Sequence, residues 1–198
     1  EQPPLNAEGK QIHNKGDPLE TSQDDATYLT LHDQAHAGVS VVSDGEQRRT
    51  SYLSCITSHL EGFDYERLTK KWSRNSRRLT EVGHCSEPVR RKGLMHKRDA
   101  ELMLAETCRP VKITMPGPMT AVDSTAHEHY GDEAAMEMDV ATALNEEARE
   151  LNALCVAVIQ FDEPVFSRCK GMEHYGARPL PRRRRRGADR GAYLLHLP

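Results

Sequence analysis

Segments with the apolar spacing of a helix alternate along this chain with short apolar runs. The helical segments are residues 22–37, 97–107 and 131–153. In the third, five apolar residues recur at helical spacing, namely Met136, Val140, Leu144, Ala148 and Leu151. The apolar runs at 39–42, 111–115 and 154–161 predict strands, and the third has the near-continuous apolar character of a parallel strand buried on both faces.

Residues 51–80 fit neither pattern clearly. The stretch YLSCITSHLEGF, residues 52–63, favours a helix, and KKWSRNSRR, residues 70–78, is a polar excursion. Outside this region the alternation of helix and strand predicts an α/β fold with right-handed crossovers and a parallel sheet. With 198 residues the chain is shorter than the roughly 250 that a complete (β/α)8 barrel usually needs.

The two ends of the chain differ in composition from its centre. Residues 1–21 are polar and lack periodicity, which predicts a loose lead-in, and residues 169–198 form an arginine-rich tail that we expect to be disordered. Six arginines lie within residues 178–186. Such a run can contact nucleic-acid phosphates or be a solvated tail, and a third interpretation is translation from a shifted reading frame.

Composition narrows the classes of protein further. No run approaches the 18 apolar residues of a membrane span, and the first residues have neither the basic nor the apolar part of a signal peptide. The five cysteines are scattered and odd in number, which favours reduced thiols over a disulfide framework. These features predict a cytoplasmic protein.

Acidic residues follow the predicted strands. Asp44 and Glu46 come after the first strand, the second ends in the sequence PGP, and Asp162 and Glu163 follow the third. Because parallel strands end at one edge of a sheet, where ligands bind in such folds, we expect these four carboxylates on one rim. Clustered carboxylates persist where a cation, such as a metal ion or a ligand ammonium, compensates them. The alternative is that single acids cap loops or pair with neighbouring arginines, Arg48 and Arg49.

Several histidines and cysteines are candidates for metal binding or core packing. His84 and Cys85 are adjacent, so their side chains would diverge on a strand, and a loop position is favoured over chelation. The segment 127–129, His-Glu-His, could form a small metal site if extended, or lie in a loop before a helix. Cys155 falls inside the apolar run, where it would act as a small hydrophobe.

Four motifs in order resemble one known family. VVSDGEQRR, VKITMPGPMT, HEHYGDEAAMEMD and VIQFDEPVFSR are similar to the catalytic barrel of cobalamin-independent methionine synthases, in the short form that includes the epoxyalkane:coenzyme M transferases. The resemblance spans residues 22–168. It implies a (β/α)8 barrel in which zinc holds a thiol as thiolate for attack on a carbon electrophile, such as the methyl group of a methylfolate.

The resemblance also implies roles for individual residues. Glu46 and Asp162 match the two acids that hold the ammonium group of homocysteine, and Asp44, Glu163 and His129 are possible secondary site residues. The PGP loop at 116–118 would shape the substrate face. Homocysteine and coenzyme M relatives share these motifs, so they do not select between the two thiols.

The resemblance stops after Arg168. The family's zinc ligands, a His-x-Cys pair followed by a glutamate and a second cysteine, have no counterpart there, and no GSxP loop precedes residue 20. We therefore expect an incomplete barrel without metal ligands, which binds no zinc and has little or no transferase activity. The alternative is a non-catalytic remnant whose basic tail contacts nucleic acid.

Overall fold

The structure, a computed structural model, describes residues 18–49, 51–73 and 78–164. The helices are α1 (Pro18–His36), α2 (Ser54–Thr57), α3 (Lys97–Glu106), α4 (Pro118–Asp123) and α5 (Glu133–Ala153). The strands are β1 (Val42–Ser43), β2 (Leu60–Ser73), β3 (Arg78–Arg91), β4 (Val111–Pro116), β5 (Ala126–His127) and β6 (Val158–Asp162). The predicted tail at 169–198 and most of the predicted lead-in lie outside the described residues.

A parallel sheet with the order β1-β4-β6 forms one part of the fold. Val42 pairs with Val111, and Ile113 pairs with Ile159, both in parallel register. The prediction that these three strands are parallel neighbours is therefore confirmed. Within the described ranges the sheet has three strands and does not close into a barrel.

The two faces of strands β4 and β6 differ in chemistry because successive side chains alternate. On one face, Ile113, Met115, Ile159 and Phe161 are buried in the hydrophobic core. The core also contains the predicted apolar stripe of α5, so that helix has its expected role. The opposite face carries Lys112, Thr114, Gln160 and Asp162.

Residues 51–80 depart from the helix that the sequence favoured. A single helical turn, α2, is followed by the long antiparallel hairpin of β2 and β3, whose register is shifted between Glu61 and Phe63 and between Asp64 and Thr69. These irregularities interrupt the alternation that would reveal a strand in the sequence. The hairpin also exposes four large apolar residues, Tyr65, Leu68, Trp72 and Leu79.

Three smaller predictions are wrong. His84 and Cys85 lie in strand β3, not in a loop. Cys155 lies in the exposed turn before β6, with φ of 74°, instead of inside the strand. Helix α1 begins at Pro18, within the predicted lead-in, since proline is well suited to the first turn of a helix. Within the described part of the chain, no helix is both long and apolar enough to cross a bilayer.

Candidate functional site

The loop after β1 is a tight turn that presents Glu46 beside the next strand. Gly45 and Glu46 both have left-handed backbone conformations, with φ of 62° and 59°. A Cβ on residue 45 would lie 2.7 Å from the Thr30 side chain, so glycine is required there. Arg49 Nη1 lies 3.3 Å from Glu46 Oε1, and the same guanidinium donates to the carbonyl of Thr114 on β4. Arg49 thereby holds the Glu46 loop against β4.

Asp162 ends β6 and connects three segments. Its carbonyl oxygen accepts a hydrogen bond from the Gly117 backbone N–H at 2.8 Å and another from the Tyr52 hydroxyl at 3.4 Å. Its carboxylate accepts from the side-chain amide of Gln160, with 2.6 Å between Nε2 and Oδ1. The end of β6 is therefore attached to the loop after β4 and to the segment before α2.

The hydroxyl of Tyr52 lies against the end of β6, 3.4 Å from the carbonyl oxygen of Asp162. Burial raises the pKa of the Tyr52 hydroxyl, and the negative charges of Asp162, Glu163 and Glu46 raise it further. Arg49 also brings the Glu46 loop to β4, the strand beside β6. The predicted convergence of the loops after β1 and β6 is consistent with this arrangement.

Glu163 has a structural contact that the sequence did not reveal. Its carboxylate accepts hydrogen bonds from the backbone N–H groups of Met119 and Thr120, both at 2.9 Å, and from the Thr120 hydroxyl at 2.6 Å. It therefore caps helix α4 from a distant part of the chain. Burial raises the pKa of Glu163 to about 7, although these hydrogen bonds oppose the shift.

Glycine at position 117 makes this cap possible. A Cβ there would lie 2.2 Å from Oε1 of Glu163, closer than any real contact. The PGP loop thus matters because its glycine admits a carboxylate, and its second proline, Pro118, occupies the first turn of α4.

Asp44 is buried, and its charge affects Asp99 on α3. Asp44 is 3% exposed, and its charge contributes to the raised pKa of Asp99, for which burial is the main cause. Arg48 pairs with Asp99, at 3.0 Å from Nε to Oδ1, and with Asp24 on α1. Of the two arginines, then, Arg49 pairs with a rim acid and Arg48 joins the two helices.

The histidines that were candidates for the site lie on β3, on β5 and in the loop after β5. His129 is exposed in the loop between β5 and α5, and its ring contacts Tyr130 edge to face, with 5.0 Å between the centroids. His84 Nε2 lies 3.2 Å from Glu128 Oε2, and His127 Nε2 lies 4.0 Å from Glu133 Oε1. These contacts belong to the hairpin side of the fold.

A zinc ion does not fit the described side chains. In residues 18–49, 51–73 and 78–164, no three histidine, cysteine or acidic side chains come together as a metal site. A catalytic zinc ion needs three protein ligands and one open position. The chemistry that these residues support is the binding of a cationic group by carboxylates.

Sequence reasoning missed Tyr52, Gln160 and Arg49 as parts of the site. Tyr52 fell in the ambiguous segment, and Arg49 was considered only as a partner for nearby acids. Gln160 did carry a signal, because it is a polar residue inside an apolar strand and is only 8% exposed. A buried amide of this kind requires a hydrogen-bond partner.

Comparison with known sequences identifies similar proteins. Residues 10–177 match the family described as "Cobalamin-independent synthase, Catalytic domain". A methionine synthase of Sulfurisphaera tokodaii is 28% identical over 163 residues, which cover 80% of this chain and 48% of that protein. A methionine synthase of Sulfolobus acidocaldarius is 27% identical over 151 residues, which cover 75% and 43%. The chain spans about half the length of the curated relatives that it matches.

Solved structures give the same result. A B12-independent methionine synthase from Shewanella sp. W3-18-1, in complex with selenomethionine, superposes with a TM-score of 0.71 and 38% identity, covering 77% of this chain and 44% of that one. A protein of Listeria monocytogenes superposes with a TM-score of 0.60 at 17% identity, which shows the fold alone.

Proposed function

The chain belongs to the cobalamin-independent synthase family, and we propose that it binds an amino-acid thiol such as homocysteine, with Glu46 and Asp162 holding the ammonium group. The family is one of methyltransferases, and the relatives that match are methionine synthases. The observation that carries the proposal is that Arg49 holds the Glu46 loop against β4, whose neighbour β6 ends at Asp162.

The charges of the rim favour a cationic ligand. Glu46 and Asp162 carry two negative charges, and Arg49 supplies one positive charge at 3.3 Å from Glu46. A ligand ammonium supplies the charge that remains to be compensated, and hydrogen bonds between charged groups are the stronger class.

The negative charge of the rim also favours one of two thiols, homocysteine and coenzyme M, which the family motifs do not distinguish. Coenzyme M carries a sulfonate in place of the whole α-amino-acid group, so it has no ammonium for the carboxylates of the rim to bind, and they would repel its anion. An epoxyalkane:coenzyme M type of reaction is therefore the less favoured alternative.

For the fold, we propose that β1, β4 and β6 are part of a (β/α)8 barrel that is incomplete in this chain. We also propose that the chain divides into a lead-in, a partial barrel and a tail, at residues 1–21, 22–168 and 169–198. Because the described residues include no set of zinc ligands, zinc activation of the thiol and reaction with a methylfolate-type donor are assigned to none of them. We propose that this chain binds the thiol substrate but has little or no transferase activity.

Isothermal titration of the full chain with L-methionine tests the proposal, since the Shewanella relative was solved with selenomethionine. Glu46→Gln and Asp162→Asn should each weaken binding by about 10- to 100-fold, because each removes a charged hydrogen bond to the ammonium. Asp33→Asn, on the exposed side of α1 with 84% of its side chain accessible, is the matched control.

The affinity of the wild-type chain should be unchanged by added zinc, because the ammonium contacts do not involve a metal. Equal affinity in wild type, Glu46→Gln and Asp162→Asn would exclude the two acids as the ammonium site. Absence of binding by the wild type would exclude the function itself.

A further inference from the structure

A row of polar side chains runs along one face of strands β4 and β6 and ends at Asp162. The parallel register pairs Thr114 with Gln160 and Pro116 with Asp162, and Lys112 lies two residues before Thr114 on the same face. Gln160 and Thr114 are 8% and 7% exposed. Buried polar side chains need hydrogen-bond partners. Lys112, Gln160 and Asp162 are partners of one another.

Two hydrogen bonds connect Lys112, Gln160 and Asp162. The Lys112 ammonium donates to Oε1 of Gln160 at 2.8 Å, and Nε2 of Gln160 donates to Oδ1 of Asp162 at 2.6 Å. The orientation of a glutamine amide is normally assigned from its neighbours. Here it is determined, because an ammonium can only donate and the amide oxygen must therefore face Lys112. The NH2 group then faces Asp162, whose carboxylate must accept.

We infer that Gln160 is a positioning residue for the amine-binding carboxylate, with Lys112 setting the direction of its amide. The inference rests on the proposed function, in which Asp162 binds a ligand ammonium. With Oδ1 held by the amide, the carboxylate plane is fixed and Oδ2 is available for the ammonium group of an α-amino acid. Preorganisation of this kind reduces the entropy lost when the ligand binds.

The hydrogen bonds at Asp162 separate the roles of its atoms. The bonds from Gly117 and Tyr52, which hold the local fold, go to the carbonyl oxygen. The bond from Gln160 goes to the carboxylate. Loss of the Gln160 amide should therefore change how the carboxylate binds a ligand more than it changes the path of the chain.

The first experiment observes the hydrogen bonds without any ligand. In ¹⁵N–¹H correlation spectra of the full chain, Gln160→Leu identifies the side-chain NH2 signals of Gln160 by their loss. Asp162→Asn should shift those signals, and Lys112→Met should broaden or shift them because the amide loses its fixed orientation. Signals that respond to neither substitution would overturn the inference, whatever the chain binds.

The second experiment measures recognition of the amine. The ratio of the affinities for L-methionine and for 4-(methylthio)butanoate, which lacks the amino group, reports on the ammonium site alone. Gln160→Leu should reduce this ratio about tenfold, which corresponds to about 1.4 kcal/mol, while leaving the affinity for the butanoate unchanged. Lys112→Met should reduce the ratio less, because the amide remains present.

Two further variants separate positioning from general damage. Gln160→Glu has the same shape but turns an oxygen toward the Asp162 carboxylate, so it should reduce the ratio more than Gln160→Leu does. Gln23→Leu removes another partly buried glutamine, which donates to the Arg48 carbonyl at 3.3 Å, and should leave the ratio unchanged.

The outcomes distinguish this inference from the function on which it rests. A wild-type chain that does not prefer L-methionine over the butanoate would overturn both. A wild type that prefers L-methionine, with an equal preference in Gln160→Leu, would overturn the positioning role of Gln160 and leave the amine site in place.

Discussion

Two carboxylates in this protein each accept a pair of backbone hydrogen bonds from a distant part of the chain, Glu147 just before α3 and Glu163 within the first turn of α4. Glu147 of α5 accepts hydrogen bonds from the backbone N–H groups of Met95 and His96, both at 2.9 Å, in the segment that leads into α3. Glu163 makes the corresponding pair of bonds to Met119 and Thr120 at the start of α4, also at 2.9 Å.

Their pKa values nevertheless move in opposite directions. Burial alone would raise the pKa of Glu147, but hydrogen bonds from His96 and from the two backbone N–H groups lower it below its usual value. Glu147 also pairs with Arg91, with 3.0 Å between Oε2 and Nη1. Burial raises the pKa of Glu163 to about 7, where Thr120 contributes only a hydroxyl and the charge of Glu137 adds to the shift.

The comparison indicates that neutral donors alone do not offset the effect of burial on the pKa of Glu163. Glu147 differs in having cationic partners, His96 and Arg91, whose positive charge offsets the loss of hydration, whereas the three donors to Glu163 are neutral. The contact with Glu147 also affects the pKa of His96. Burial lowers the pKa of His96, but hydrogen bonds with Cys55 and Glu147 raise it to about 9. The start of α3 is thus neutralised internally, whereas the rim near Glu163 retains acids that a ligand can neutralise.

Removal of the internally paired carboxylate should have the largest effect on stability. Glu147→Leu leaves the His96 imidazole and two backbone N–H groups without their acceptor and removes the buried partner of Arg91, and we expect a loss of about 3–5 kcal/mol in the free energy of unfolding measured with urea. Glu150→Gln, which removes a half-exposed partner of the same arginine, should cost less than about 1 kcal/mol. Similar losses in the two variants would contradict the central role of Glu147.

A smaller loss of stability is expected when a methyl group at position 117 displaces the Glu163 carboxylate that caps α4. Gly117→Ala places a Cβ at 2.2 Å from Glu163 Oε1 and should cost about 1–3 kcal/mol in the same measurement. Gly93→Ala, where a Cβ meets nothing within 4 Å, is the control and should be nearly neutral.

A double-mutant cycle checks the cause of the Gly117 effect. If the methyl group acts by displacing the cap, Gly117→Ala combined with Glu163→Ala should cost less than the sum of the single substitutions. Additive costs would show that the alanine acts on something other than Glu163.

The smallest effect is a dependence on pH. The folded pKa of Glu163, about 7, lies above the ordinary value of 4.5, so the folded state binds a proton between those values that the unfolded state lacks. This contribution is fully present below pH 4.5 and is lost as pH rises through 7. The stability of wild type relative to Glu163→Gln should therefore fall by about 1–2 kcal/mol between pH 4.5 and pH 8.

Thermal unfolding at several pH values measures that difference. Glu101→Gln, on the exposed side of α3, is the control, and its difference from wild type should not change over the same interval. A stability of wild type relative to Glu163→Gln that stays constant or rises with pH would contradict the raised pKa.

Local patterns determined a large part of the fold. Helices α3 and α5 and strands β4 and β6 lie close to their predicted positions, because the spacing of apolar residues reflects which side of an element faces the core. The order of these elements also determined the parallel sheet. Four acids could be placed on one rim because they follow strands of a parallel sheet, whereas the choice of Glu46 and Asp162 among them came from the family resemblance.

Tertiary structure decided what local spacing does not encode. The pairing of β2 with β3 joins residues that are far apart in the sequence, and its register shifts conceal the strand pattern, so His84 and Cys85 could not be placed correctly. Cys155 lies in the turn that lets α5 reverse into β6.

The partners of the acidic side chains likewise could not be predicted from the sequence. That Glu163 would cap α4, that Arg49 would reach the Thr114 carbonyl and that Lys112 would orient Gln160 depend on which side chains meet after folding. The sequence by itself determined where carboxylates stand along the chain, whereas their protonation depends on burial and on the nearest cation. Those two quantities exist only in the folded state, because the unfolded chain leaves each carboxylate hydrated and screened by water.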